Sequence, residues 1–217
     1  MLEDLKKELT SIIKKADIAG LCQHKSGNMS LKDEKSGMIL VTPSGIARED
    51  LTYEDICVVD KDAKIIEMKD NVKPSSELLM HLTAYKARQD IQAVVHTHSR
   101  FATSFAVLNK PIPPIIYEAV YYGGVVPVAS YGRPGTKELA ESIIEPLKQA
   151  DACLLQSHGV MTIGKDIEAA YLKAIYVEEV AEVYYRTLML NGGKEPPVLT
   201  LDELKKWKYP LDHIKRN

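Results

Sequence analysis

Ile91-Gln92-Ala93-Val94-Val95-His96-Thr97-His98 is the stretch around which this chain is organised. The run up to Val95 is short and apolar, and reads as a buried strand. Side chains two apart on a strand point to the same face, so His96 and His98 are expected to project together from the strand's end. Two imidazoles so placed are either the first half of a transition-metal site or a pair of surface histidines at a strand-to-loop junction. What separates these readings is whether the chain supplies further ligands and something for a metal to act on.

Helical and strand-like segments alternate outward from that run. Leu2 to about Gly20 carries Leu5, Leu9, Ile12, Ile13, Ala16 and Ala19 as the apolar stripe of an amphipathic helix. Met38–Val41, Ile56–Val59 and Lys64–Ile66 read as short strands, the last two joined by a hairpin at Lys61-Asp62. The patterning predicts a helix from Ser76 to about Arg88 before the histidine strand and another from Arg100 to Leu108 after it. A strand is expected at Gly124–Ala129 and a helix at Thr136–Lys148, with Thr136 as N-cap. Ala152–Gln156 and Val160–Ile163 read as a strand pair around His158. Asp166 caps a long helix in which Ile167, Ala170, Tyr171, Ala174, Val177, Ala181, Tyr184 and Leu188 recur at helical spacing. A tail from about residue 192 ends in a short helix near Leu201–Trp207. No repeat or linker divides the 217 residues, so one α/β domain with a central, mostly antiparallel sheet flanked by helices is expected.

A hydrophobic content of 45% allows a substantial core. The 28 basic and 30 acidic residues are spread along the chain and leave a formal charge of −2, with no basic block suited to nucleic acid or an anionic membrane. The acid-containing N-terminus does not read as a secretory signal, and no apolar run approaches membrane-spanning length. Cys22, Cys57 and Cys153 are odd in number and set in apolar surroundings, as expected of buried free thiols in a cytoplasmic protein.

The histidines are His24, His81, His96, His98, His158 and His213. His158 follows the apolar run Ala152-Cys153-Leu154-Leu155 and precedes Gly159, so a neighbouring strand could carry it beside the pair. Glu77 and His81 stand four apart on a predicted helix, with Glu77 at its mouth and His81 one turn deeper. Glu77 is therefore favoured as a ligand, and His81 is assigned either to packing or to supporting the ligands from behind. One carboxylate and three imidazoles suit zinc, cobalt or manganese better than calcium or magnesium.

Three short segments rich in hydroxyl, amide and glycine groups point to a phosphate: Ser26-Gly27-Asn28-Met29-Ser30, Thr42-Pro43-Ser44-Gly45 and Pro74-Ser75-Ser76-Glu77. Each is read as a loop beside a strand or helix. The third opens a helix, where unpaired N–H groups and the dipole favour an anion. Singly, each is an ordinary turn or cap. Together, and with one ending in the candidate ligand Glu77, they predict a dianion beside a metal. None matches a nucleotide P-loop or a dinucleotide fingerprint.

These segments, His96-Thr97-His98 and Gln156-Ser157-His158-Gly159 resemble, in order and spacing, the class II aldolase/adducin-type family over nearly the whole chain. The resemblance implies zinc, one per subunit, held by His96, His98, His158 and Glu77. It implies that Asn28, Thr42, Ser44, Gly45, Ser75 and Ser76 surround a substrate phosphate. It further implies a homotetramer in which Tyr117 reaches the site of an adjoining subunit, and a C-terminal tyrosine, matched by Tyr209, that closes over it. His24-Lys25 departs from the small or polar residues that relatives carry there, and nothing is drawn from it. The implied reaction is reversible cleavage of a ketose 1-phosphate, with L-fuculose 1-phosphate favoured, to dihydroxyacetone phosphate and an aldehyde (L-lactaldehyde for that sugar). Substrate would displace Glu77 from the metal and leave it as the base, and a phenol such as Tyr117 would exchange a proton with the departing aldehyde oxygen. Other members of the resembled family are pentulose-5-phosphate 4-epimerases, which usually carry Asp in place of Glu77, and methylthioribulose-phosphate dehydratases. A non-enzymatic adducin-like interaction module is the alternative of another class, and it has no need for the complete ligand set.

Overall fold

The computed structural model describes residues 2–206. In chain order its elements are α1 (Glu3–Ile18), β1 (Asn28–Lys32), β2 (Ile39–Val41), β3 (Cys57–Val59), β4 (Ile65–Glu67), α2 (Leu78–Ala87), β5 (Ala93–Thr97), α3 (Arg100–Val107), β6 (Val128–Ala129), α4 (Lys137–Ser142), α5 (Ile144–Gln149), β7 (Ala152–Leu155), β8 (Gly159–Gly164), α6 (Ile167–Leu190) and α7 (Leu201–Lys205), with 3-10 turns at Tyr53–Asp55 and Tyr117–Tyr122. The strands form one sheet in the order β4-β3-β2-β1-β5-β8-β7-β6. Every neighbouring pair is antiparallel except β6–β7. This is the expected α/β domain with a mostly antiparallel sheet flanked by helices.

The histidine strand β5 lies near the middle, between β1 and β8. Met29, Leu31, Leu40, Val58, Ala93 and Val95 pack against α1 and α6 on one face. Ile39, Val59, Val94, Cys153, Leu155, Met161 and Ile163 meet α2, α4 and α5 on the other. The turn Tyr117–Tyr122, α3 and the second half of α6 cover Ala152, Leu154 and Val160. Burial on both faces explains why Ala93-Val94-Val95 is continuously apolar rather than alternating.

Three sequence expectations are corrected. The Ser26–Ser30 segment is not all loop, because Asn28–Lys32 forms β1, paired with β2 and β5. Its alternation is present but disguised: Met29 and Leu31 enter the α1–α6 core, while buried Asn28 and Ser30 face polar partners on α2. The helix expected over Thr136–Lys148 is two, α4 and α5. Pro146 has no N–H to give back one turn and its ring crowds the carbonyl of Ser142, so the helix resets at Ile143. The strand at Gly124–Ala129 shrinks to Val128–Ala129, with an isolated bridge between Val126 and Ile112. The caps are as expected: Thr136 accepts from the Leu139 amide and Asp166 from the Ala169 amide, each worth about 1 kcal/mol.

Candidate functional site

His96 is the penultimate residue of β5 and is completely buried. By alternation it shares a face with Val94, the face on which α2 lies. His98 is just past the strand, with its amide donating to the Leu21 carbonyl at 3.0 Å. His158 closes the turn between β7 and β8, where Ser157 adopts a left-handed conformation with φ of 56°. The three rings stand edge to face, with centroids 4.8, 4.9 and 5.0 Å apart. Gly159 makes this convergence possible. A Cβ there would collide with the Thr97 carbonyl and lie 3.1 Å from His96 Cε1 and 3.2 Å from His98 Cδ2.

Glu77 is the N-cap residue of α2, so the helix start turns its carboxylate into the histidine cluster. Its Oε2 lies 3.3 Å from His96 Nε2, and its Oε1 lies 3.4 Å from His158 Nε2. His96 Nε2 and His98 Nε2 are 3.1 Å apart. The Nδ1 of His96 is 2.8 Å from the Val160 carbonyl oxygen, which can only accept, so Nδ1 carries the proton and Nε2 presents its lone pair when the ring is neutral. Bonds of about 2.0–2.1 Å in a tetrahedral shell place ligands roughly 3.3 Å from one another, close to these three contacts, and the ligand nitrogens of His96, His98 and His158 all lie within 4.8 Å of one another. Glu77 Oε1 is also buried without a hydrogen-bond partner, an arrangement costly for a carboxylate unless a cation completes it. The donor set therefore fits a divalent metal.

The electrostatics agree. Burial alone raises the Glu77 carboxyl, but the neighbouring His96 and His158 and the Asn28 amide outweigh it and hold the group well below the usual carboxylate range. Burial, reinforced by the charge of His96, brings both His98 and His158 down to about 4, so both offer neutral nitrogens near pH 7. The cysteines take no part. All three are free and buried, and burial pushes Cys22 and Cys153 up to about 12 and Cys57 to about 11.

A cleft of about 250 Å³ opens directly over this cluster, lined among others by Asn28, Ser44, Gly45, Ser75, Ser76, Glu77, His98 and His158. Five of the six residues expected around a phosphate thus share one cleft with three of the four expected metal ligands, and His96 lies buried beneath. Ser75 also supports Glu77, its hydroxyl accepting from the Glu77 amide at 3.2 Å. Thr42 is the exception. It is fully buried, its hydroxyl accepts from the Met29 amide at 3.0 Å, and its own amide and carbonyl are bonded to Met29 and Ser75. It ties the phosphate segments together from below instead of lining the cleft.

Tyr117 lies apart from the cleft. It starts the 3-10 turn, donates to the Leu204 carbonyl at 3.2 Å, and lines a separate depression with Glu118, Val120, Tyr121 and Tyr176. Tyr209 lies outside the described residues. Arg48 and Pro134 also line the cleft, as does Lys25, and no motif in the sequence marks Arg48 or Pro134. The Arg48 guanidinium is buried and donates to the carbonyls of Lys25, Ser26 and Gly27, clamping the turn that leads into β1. No spacing signals such a role, because its partners are backbone carbonyls. Gly27 must be glycine at that turn: its φ is 71°, and a Cβ would lie 2.8 Å from the His96 carbonyl.

A family model described as "Class II Aldolase and Adducin N-terminal domain" matches residues 7–185. The chain belongs to this family. Its class II aldolases are metal-dependent lyases, and this chain is an enzyme of that kind. It is 34% identical over 205 residues to the 5-deoxy-D-ribulose 1-phosphate aldolase of Bacillus thuringiensis serovar kurstaki, covering 94% of each chain. To the L-fuculose phosphate aldolase of Escherichia coli K12 it is 40% identical over 186 residues, covering 85% of this chain and 83% of that one. Among solved structures, an L-fuculose 1-phosphate aldolase superposes with a TM-score of 0.87 at 35% identity over 93% of each chain. Class II aldolases depend on a divalent metal, and here His96, His98 and His158 come together as a group able to hold one; the named relatives are aldolases of sugar phosphates. No helix among the described residues is long and apolar enough to cross a membrane.

Proposed function

We propose that the chain reversibly cleaves a ketose 1-phosphate, L-fuculose 1-phosphate in the first instance, to dihydroxyacetone phosphate and an aldehyde. The observation that carries this reading is Glu77: a buried carboxylate with one oxygen lacking a hydrogen-bond partner, in the same cleft as Asn28, Ser75 and Ser76. Zinc held by Glu77, His96, His98 and His158 would supply Lewis acidity at the oxygens where negative charge gathers.

The residues divide the remaining work. Ser75, Ser76 and Gly45 hold the phosphate at the mouth of α2, with Asn28 and Ser44 beside them, so binding at the remote end fixes the reacting carbons over the histidine cluster. In cleavage, the bond between the third and fourth carbons breaks. The fourth carbon becomes the aldehyde carbonyl as its hydroxyl gives up a proton, and the electron pair stays with the third carbon. Glu77 moves the proton at that carbon, returning it in cleavage and removing it in condensation. Tyr117 serves the aldehyde oxygen from a neighbouring subunit of a homotetramer. Its place outside its own chain's cleft supports that assignment. Tyr209, outside the described residues, is assigned the part of closing the site by the family resemblance alone. Buried free thiols support a cytoplasmic location.

A second substrate, 5-deoxy-D-ribulose 1-phosphate, is favoured by the Bacillus relative, which matches over 94% of both chains. Both sugars release dihydroxyacetone phosphate and differ only in the aldehyde, so the discrimination lies away from the phosphate. Measuring kcat/KM for each sugar in one coupled assay for dihydroxyacetone phosphate tests the proposal. Fuculose 1-phosphate is expected to be the better substrate by at least about tenfold. Release from neither sugar would overturn the reading.

A further inference from the structure

Behind Glu77 runs a line of buried polar groups that metal binding and phosphate binding do not account for. Glu77, His81 and Tyr85 are four apart, at the mouth and on two successive turns of α2, and so share one face. Asn28 and Ser30, two apart on β1, face them. Asn28 Nδ2 donates to Glu77 Oε2 at 2.8 Å. His81 Nε2 lies 2.5 Å from Asn28 Oδ1, and His81 Nδ1 lies 2.7 Å from Ser30 Oγ. Ser30 Oγ is 2.8 Å from the Tyr85 hydroxyl, which also approaches the Gln92 carbonyl at 3.3 Å.

The proton positions follow from the end of the line. A carboxylate only accepts, so Asn28 must turn its amide nitrogen toward Glu77 and its oxygen toward His81. That oxygen only accepts, so His81 carries its proton on Nε2. The bare Nδ1 then accepts from Ser30, and Ser30, its one hydrogen spent, accepts from Tyr85, whose single hydrogen is shared between Ser30 Oγ and the more distant Gln92 carbonyl. Each of these four hydrogen bonds points toward Glu77. His81 and Ser30 have no exposed surface, so solvent water has no access to replace a missing link. Burial also pushes the His81 imidazole down to about 3, keeping it in the neutral form that the line requires.

We propose that His81 is a positioning residue for the lyase reaction: its Nε2–H locks the Asn28 amide, and Asn28 in turn fixes which oxygen of Glu77 is held and which is left for proton transfer. The proposal rests on the reading of Glu77 as the base. Asn28 has a second amide hydrogen, and it lines the cleft, so one side chain couples the base to the place where substrate binds. An unlocked Asn28 could turn its oxygen toward the carboxylate and push Glu77 away.

The test follows hydrogen exchange between water and the reactive carbon of dihydroxyacetone phosphate, by NMR, on the zinc-loaded protein with no aldehyde present. His81→Leu removes the donor. It is expected to slow exchange about 10- to 100-fold, with zinc content unchanged and the KM for dihydroxyacetone phosphate within about threefold. His81→Gln, whose amide can reach the same oxygen, should recover most of the rate. Ser30→Ala leaves the imidazole in place but frees its tautomer, and should slow exchange about fivefold. It serves as the readout if His81→Leu does not fold. Wild-type exchange rates in His81→Leu, or in Ser30→Ala where His81→Leu does not fold, would overturn the role of His81 alone. No exchange in the wild-type protein would overturn the assignment of Glu77, and the inference with it.

Discussion

Across the β5–β8 pair, His96 donates from Nδ1 to the carbonyl of Val160 at 2.8 Å. The ladder at the centre of the sheet thereby decides which imidazole nitrogen faces the cleft. Fold and site are joined at this bond, because a shift in β8 register would move the acceptor and release the ring.

Replacing His96 with Ala should remove the innermost donor, the one with the least freedom to be replaced by water. Zinc content measured after gel filtration is expected to fall from one per chain to a small fraction, and turnover to fall by at least about a thousandfold. Undiminished zinc would remove His96 from the ligand set.

Gly159→Ala should be felt in both stability and metal content. The added methyl meets the Thr97 carbonyl and two of the imidazoles, none of which can move without opening the β5–β8 pair. A loss of about 2–3 kcal/mol is expected in urea unfolding, typical of overpacking in a tight interior. Zinc affinity should weaken with it. A variant as stable as the parent would mean that the strands sit further apart than the structure has them.

Ser75→Ala separates anchoring from chemistry. Its hydroxyl lies at the mouth of α2 and in the cleft, and a hydrogen bond to a charged group is worth about 1.5–3 kcal/mol. KM for the sugar phosphate should rise about 10- to 100-fold with a smaller change in kcat. An unchanged KM would show that the phosphate lies elsewhere.

How much of this was legible in the sequence differs from residue to residue. His96, His98, His158 and Glu77 could be singled out because ligand chemistry is carried by residue type and by position at strand or helix ends. β1 lacks the continuous apolar run of a strand buried on both faces: Met29 and Leu31 enter the core on one side, but Asn28 and Ser30, buried on the other, are polar. On the partner helix the spacing of Glu77 and His81 is legible, and Tyr85 extends the same polar line one turn further along α2. Thr42 lies beneath the cleft, its hydroxyl claimed by the Met29 amide, and a motif names residues without saying which polar atoms the backbone has already claimed. Arg48 could not be found this way, since what it holds is backbone carbonyls with no side-chain signature.

Stability should also respond to acid through His81. Its neutral form is favoured by burial, so its pKa is about 3 when folded against an ordinary 6.5 when unfolded. Between those values the unfolded chain binds the extra proton, and stability therefore falls as pH drops below about 6.5. From pH 7 to pH 5 this one group accounts for about 2 kcal/mol. His81→Gln, which cannot titrate, should lose correspondingly less over the same range in urea titrations. Equal losses in the two proteins would contradict a buried neutral imidazole.

The central claim is that Glu77, His96, His98 and His158 hold a metal on which cleavage of a ketose 1-phosphate depends. Its most direct test is the release of dihydroxyacetone phosphate from L-fuculose 1-phosphate by one protein sample, followed before chelation, after it, and after zinc is returned. The account predicts activity that disappears with the metal and returns with about one equivalent of zinc per chain. Release that continues undiminished in the chelated protein would contradict it.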